Sequence, residues 1–416
     1  MDEALLREIS EKYLIPFFSG ATLEDASVPS ASRQQTVAFN TPQIIEFKVH
    51  QGDEYRLQVR RHHPFAKKSD PARETQVIDA FVSILAGMSE ELTGAHKDDL
   101  LSTFQRRVVA RAVADLGQET KLVTVIDQVA LWSTRLYEGA PIASAIGIDP
   151  AVTGSSTLQL TEISEEDFCA VLSNGFDTLL TFDADLKLAN HLVLEPTSAE
   201  TGFCPWRHSA IAKWTQEDAK RIAVVLNRLG EILVFRQGQL LFARRSGNWH
   251  FLTHAPVIRQ MGLPQKESIR QAIYETALDA SFARTGACIG VVGSGASNDW
   301  QKTVDEADRL AGGLSKKAQA INLIVGGRNF EDLPRTLRQE LAAIDGATVI
   351  NHKGEILAVG AILKIEGGST GGGRTAAARQ LGKLGLGMKV SQDGGISAYR
   401  QSWAKNETVK DAFTVM

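Results

Sequence analysis

Thr285-Gly286-Ala287-Cys288-Ile289-Gly290-Val291-Val292 is the stretch that decides how the second half of this chain folds. Its residues 287–292 are apolar throughout and end at Gly293, so they read as a strand. Working outward, helical spacing is expected around 303–311 and 333–343. A strand pair should flank residues 351–354, and a helix-like run covers 376–384. Upstream, 218–229 and 268–282 read as helices, while 231–235 and 240–244 flank Gln237-Gly238-Gln239 as a hairpin. Strands alternating with helices predict a layered α/β domain with a mixed central sheet flanked by helices.

The first half has a different character. Residues 1–14 form an amphipathic helical pattern whose acids Asp2, Glu3, Glu8 and Glu11 are unlike the basic start of a secretory signal. Residues 43–50 and 54–60 alternate apolar and polar around Gln51-Gly52-Asp53, which predicts a hairpin with one buried face. Two amphipathic helices are expected over 72–92 and 98–116, the second ending at Gly117. A further strand pair spans 176–193 across Asp183-Ala184-Asp185, an acid pair that reads as a solvated turn and not as a metal site. Residues 196–205 are rich in Ser, Thr, Gly and Pro. They divide the chain into an α+β N-terminal domain over 1–204, with a sensor or regulatory role, and a catalytic α/β domain over 205–416.

Composition narrows the function. The 416 residues carry a formal net charge of −4, which argues against a nucleic-acid binder, because phosphate recognition there needs a clustered cationic surplus. A small anionic ligand needs only a local positive pocket. The three cysteines, Cys169, Cys204 and Cys288, lie too far apart for a zinc knuckle or redox dithiol and read as reduced, buried residues. No stretch approaches the roughly 18 apolar residues of a membrane span, so a cytoplasmic protein without membrane contact is expected.

Three features of the last third carry chemistry. In Asp345-Gly346-Ala347 a carboxylate precedes two residues with almost no side chain, so a ligand could approach the backbone while the acid holds a cation or a hydroxyl. Gly367-Gly368-Ser369-Thr370-Gly371-Gly372-Gly373-Arg374-Thr375 leads into a helix, where glycine amides and the helix dipole suit phosphate and Arg374 adds a full charge. The loop lacks the Gly-Lys-Ser/Thr ending of a Walker A motif. Ser391-Gln392-Asp393-Gly394-Gly395-Ile396 reads as a hairpin turn.

In order and spacing these features resemble the diadenylate cyclase domain, with the correspondence running over residues 286–400. That family has an Asp-Gly-Ala strand, a returning strand with Leu near its end, a Gly-Thr-Arg-His-Arg loop opening a helix, and a Ser-Glu-Glu-Thr-Gly turn. The resemblance implies condensation of two ATP molecules into cyclic di-AMP with release of pyrophosphate, aided by Mg²⁺ or Mn²⁺. It implies that Asp345 holds the ion and orients the attacking hydroxyl, with Asp393 as a second metal-site acid. Gly346 and Ala347 would lie against the nucleotide and Leu363 against the adenine. Arg374, Thr375 and the amides of Gly371, Gly372 and Gly373 would hold the triphosphate. One ATP per site further implies a homo-oligomer whose cyclase domains meet face to face. The chain departs from the family in having Gly372-Gly373-Arg374 for Arg-His-Arg and Gln392 for the first turn glutamate. These departures leave open a different nucleotide product, or a degenerate domain that senses a nucleotide or cyclic dinucleotide.

Two other readings are weaker. Gly293-Ser294-Gly295 follows a strand but lacks the third glycine of a dinucleotide fingerprint. His62-His63, or His250 with His254, would have to supply a metallohydrolase site. The last pair is four apart in a strand-like run, where that spacing does not make a two-ligand face.

Overall fold

Continuous apolar runs decide most of the architecture. The computed structural model describes residues 3–25, 36–51, 53–88, 92, 97–115, 117–152, 157–195, 202–365, 372–401 and 409–416. They form two units, Met1–Thr253 and His254–Met416.

In the first unit, α1 (Glu3–Ile9) buries Leu6 and Ile9. An antiparallel sheet in the order β1-β4-β3-β2 follows, made of β1 (Ala21–Asp25), β2 (Val37–Thr41), β3 (Ile44–Gln51) and β4 (Asp53–Arg61). The β3–β4 register turns Ile45, Phe47, Val49, Leu57 and Val59 to the core. The opposite face is covered as well, with Glu46, Lys48 and Gln58 buried, so the hairpin has two buried faces where its alternation predicts one. Helices α2 (Glu74–Gly87), α3 (Lys97–Val113) and α4 (Glu119–Trp132) come next. The short β5 (Leu136–Tyr137) and β6 (Ala140–Pro141) pair with each other before β7 (Ser144–Ile148). After α5 (Leu160–Ile163), the pair β8 (Thr178–Phe182) and β9 (Leu188–Val193) encloses the turn at Asp183, whose carboxylate accepts the N–H groups of Asp185 and Lys187.

The boundary expected at residue 205 lies instead at 253–254. Beyond α6 (Ser209–Glu217) come β10 (Ile222–Leu226), β11 (Ile232–Arg236), β12 (Gln239–Arg245) and β13 (Asn248–Phe251). They extend one seven-stranded sheet, β13-β12-β11-β10-β7-β8-β9, because β10 pairs directly with β7. The helix expected over 218–229 is also corrected. Ile222-Ala223-Val224-Val225-Leu226 is fully buried in mid-sheet, and a short apolar run rich in β-branched residues suits a central strand.

The second unit opens with α7 (His254–Gln260) and α8 (Glu267–Ala283), then β14 (Ala287–Val292). The helix expected around 303–311 is reduced to α9 (Trp300–Thr303), because Val304 and Arg309 form bridges with Leu363 and Ala358 and hold the chain extended. Next come α10 (Lys316–Val325), capped by Ser315, then α11 (Arg335–Ala343), β15 (Ala347–Asn351) and β16 (Ile356–Ala361). Last are α12 (Gly373–Leu384), β17 (Gly385–Val390), β18 (Ile396–Gln401) and β19 (Val409–Val415). The sheet order is β16-β15-β14-β17-β18-β19, with β14 and β15 parallel and the other neighbours antiparallel. This is the mixed central sheet with flanking helices. No helix among the described residues is long and apolar enough to cross a membrane.

Helix α12 lies on the sheet at backbone range. A Cβ at Gly387 would fall 1.8 Å from the Ala378 carbonyl oxygen, whereas one at Gly290 would meet the Leu381 side chain at 2.7 Å. Backbone cannot yield as a leucine tip can. Gly387→Ala should therefore cost about 3 kcal/mol and Gly290→Ala nearer 1 kcal/mol, read as shifts of the denaturant midpoint at constant m-value.

Candidate functional site

The sheet of the second unit gathers its chemistry at one end. Strands β14 and β15 run parallel with Ile289 opposite Thr348, so the same register places Gly286 level with Asp345. Strand β16 returns with Ala361 opposite Ala347, leaving Leu363 just past that end. Strand β17 arrives with Val390 opposite Ala287, so the 391–395 turn lies there too. Helix α12 begins at the same place, with Arg374 lying on Gly286, where a Cβ would stand 2.7 Å from the guanidinium Nη1. The positive φ of 68° at Gly286 and the absence of its side chain together admit the arginine.

Thr375 is buried, and its Oγ1 accepts a hydrogen bond from the Lys389 ammonium at 2.9 Å. Lys389 is the cross-strand partner of Cys288. Burial pushes the Cys288 thiol up to about 12, against the opposing field of Arg374. Lys389 was not singled out from sequence, although a lysine inside the otherwise apolar run 386–390 was a signal.

Asp345 is exposed, and its Oδ1 accepts from the Gly346 N–H at 3.1 Å. Among the described residues no cation pairs with it. Gly346 has φ of 106°, and a Cβ there would stand 2.5 Å from the Gly360 carbonyl carbon and 2.8 Å from the Ala361 nitrogen. The close approach expected of a ligand is thus made by the neighbouring strand. Ala347 points into the core and is 1% exposed. Leu363 is half-buried, with part of its surface against that core.

Gly371 and the loop before it lie outside the described residues. Gly372 caps α12 with φ 84° and ψ 160°, a region essentially restricted to glycine. Among the described residues, no atom lies within 4 Å of where a Cβ at Gly372 or Gly373 would stand.

Asp393 is occupied locally, since its carboxylate accepts from the Ser391 hydroxyl and from the Gly395 N–H. The Ser391 bond first, then Gly395 and the field of Arg284, hold it below the usual carboxylate range. Strand β14 separates β15 from β17, so about 10 Å of sheet lies between the strand bearing Asp345 and the one leading to Asp393. Among the described residues no group of three His, Cys, Asp or Glu side chains could hold a metal ion.

His63 and His250 are pushed down to about 2 and about 4 by burial, and His254 Nδ1 bonds the Tyr274 hydroxyl at 2.7 Å. Asp185 pairs with Lys121 at 2.9 Å. The three cysteines are buried and not joined in disulfides. Residues 294–296 form a single 3₁₀ turn where a dinucleotide fold needs a long helix.

No family model matches the chain. No curated protein matches it either. Among solved structures it is similar to DacA from Staphylococcus aureus, at 14% identity and a TM-score of 0.22, over 30% of this chain and 87% of that one. It is also similar to a hypothetical membrane spanning protein from Bacillus cereus, at 14% identity and a TM-score of 0.24, over 40% of this chain and 89% of that one. These are partial likenesses.

Gly372→Val should destabilise the unliganded protein by about 1–3 kcal/mol, while Gly373→Val, exposed, without positive φ and with no described neighbour within 4 Å, should stay within about 0.5 kcal/mol, both by thermal melting. Because the Asp393 pKa is depressed on folding, its contribution is present above its unfolded value near 3.9 and is lost as pH falls through the folded value. The gap in melting temperature between wild type and Asp393→Asn should accordingly be open at pH 7 and close below about pH 4.

Proposed function

We propose that the second unit is a nucleotidyltransferase that condenses two ATP molecules into cyclic di-AMP and releases pyrophosphate. One observation carries the reading: Asp345, an exposed carboxylate with no cationic partner among the described residues, and a basic cluster at the first turn of α12 share one end of one sheet. The acid suits a reacting hydroxyl or a cation, and the basic turn suits phosphate.

Each bond forms when the 3′-hydroxyl of one ATP attacks the α-phosphorus of the other and the bond to the β-phosphate breaks, so two turns give one cyclic product and two pyrophosphates. Arg374 holds negative charge as it shifts toward the leaving pyrophosphate, and the open N–H groups of the first turn of α12 assist it. Asp345 orients the attacking hydroxyl, in a position fixed by the Gly346–Gly360 backbone contact. Mg²⁺ or Mn²⁺ fits this arrangement, because such ions take one or two carboxylates and draw their other ligands from phosphate and water, and Asp345 is a free carboxylate of that kind. When bound, the ion supplies charge stabilisation at the phosphates. One nucleotide per site means that two copies of the chain face each other across the forming ring. The first unit carries none of these residues and is proposed to regulate the reaction, which would take place in the cytoplasm, where ATP is abundant.

The glycines at 372 and 373 favour a second reading, a domain that binds nucleotide without turnover. Incubating the full chain with ATP and Mg²⁺ or Mn²⁺, then separating products, decides between them. Cyclic di-AMP from wild type and none from Asp345→Asn, at stabilities within about 0.5 kcal/mol, is the expected result. Metal-dependent ATP binding with no product would leave the sensor, and no ATP binding would overturn both.

A further inference from the structure

The phosphate end of this site holds a basic residue that the loop motif does not contain. Directly opposite residues of an antiparallel pair share a face, so Lys389 lies with Cys288 on the face that α12 covers. Its ammonium reaches the first turn of α12, 2.9 Å from the Thr375 Oγ1, one residue from Arg374. Thr375 is 6% exposed, so the contact is anchored and not a solvent encounter. The bond to Thr375 uses one of the three donors of the ammonium.

Charge balance gives this placement its meaning. Among the described residues no carboxylate pairs with Lys389 or with Arg374, although both are half-buried and lie at the same turn. Two like charges next to the positive end of a helix disfavour one another in the unliganded protein. A neutral side chain would fill the strand position without that penalty. An anion bound between the first turn of α12 and the strand ends removes it, and no described side chain stands over Gly372 or Gly373 at that turn.

We infer that Lys389 is a second phosphate-binding cation, supplied from β17, which takes the place of the basic side chain missing at Gly372-Gly373. The inference rests on the nucleotide reading of this site and adds that the triphosphate is gripped from the strand as well as from the loop. It accounts for a loop with a single arginine at a site that must hold a polyanion.

Calorimetry on the full chain tests it, with ATP, inorganic tripolyphosphate and adenosine as separate probes, on wild type, Lys389→Met and Lys389→Arg. Lys389→Met should weaken ATP and tripolyphosphate about 10- to 100-fold and flatten the salt dependence of binding. It should leave adenosine unchanged and the melting temperature of the unliganded protein equal or higher. Lys389→Arg should recover most of the affinity. Unchanged tripolyphosphate binding in Lys389→Met would overturn the inference, as would an equal loss for adenosine, which marks general distortion. Tripolyphosphate binding that depends on Lys389 without any ATP binding would uphold the cation and overturn the nucleotide reading. A wild type that binds neither overturns both.

Discussion

The approach of α12 to β17 and β14 at backbone distance is the constraint on which the second unit depends. Gly387 lies under the Ala378 carbonyl and Gly290 under Leu381, so the helix axis is set by main chain and hardly by side-chain choice. A helix held that closely has a defined starting point. Its first turn, with Arg374 and Thr375, is thereby fixed over Gly286 and beside Lys389. With larger residues beneath it, the helix would ride higher, and the first turn would lose both Gly286 and Lys389.

Glycine plays the corresponding part on the other side of β14. A Cβ at Gly346 would strike the Gly360 carbonyl carbon, and one at Gly360 would meet the Ile344 side chain and the Asp345 carbonyl oxygen, so the 344–346 and 360–361 segments pack backbone to backbone. That contact sets where β15 begins and so where Asp345 stands. The carboxylate adds little to the fold and its backbone adds much. The positions of Asp345 and Arg374 are therefore determined by tight backbone packing and hardly by their own side chains.

Much of this was legible in the chain, though unevenly. Strong periodicity or a continuous apolar run gave β3 and β4, β14, α8 and α12 close to their observed limits. Residues 222–226 were misread, because five apolar residues in a row carry no period that separates helix from strand. The domain boundary was misplaced for a related reason. A loop rich in Ser, Thr, Gly and Pro marks a break in secondary structure, whereas the pairing of β10 with β7 that carries the sheet past it is a long-range event with no local signature. At the site, the sequence exposed Asp345 and Arg374 but assigned the space at Gly346 to a ligand, since close packing against Gly360 depends on a partner 14 residues away. Lys389 escaped attention because its significance comes from the helix laid over it.

Cys288 sits within this cationic corner, and its protonation state bears on chemical durability. Neighbouring positive charge ordinarily favours the thiolate, the form that reacts with oxidants and electrophiles. Here burial outweighs Arg374 and pushes the thiol up to about 12, so it stays protonated at neutral pH. The sulfur is also fully covered between strand and helix. The corner thus sets two cations beside a thiol that burial keeps in its protonated, less nucleophilic form.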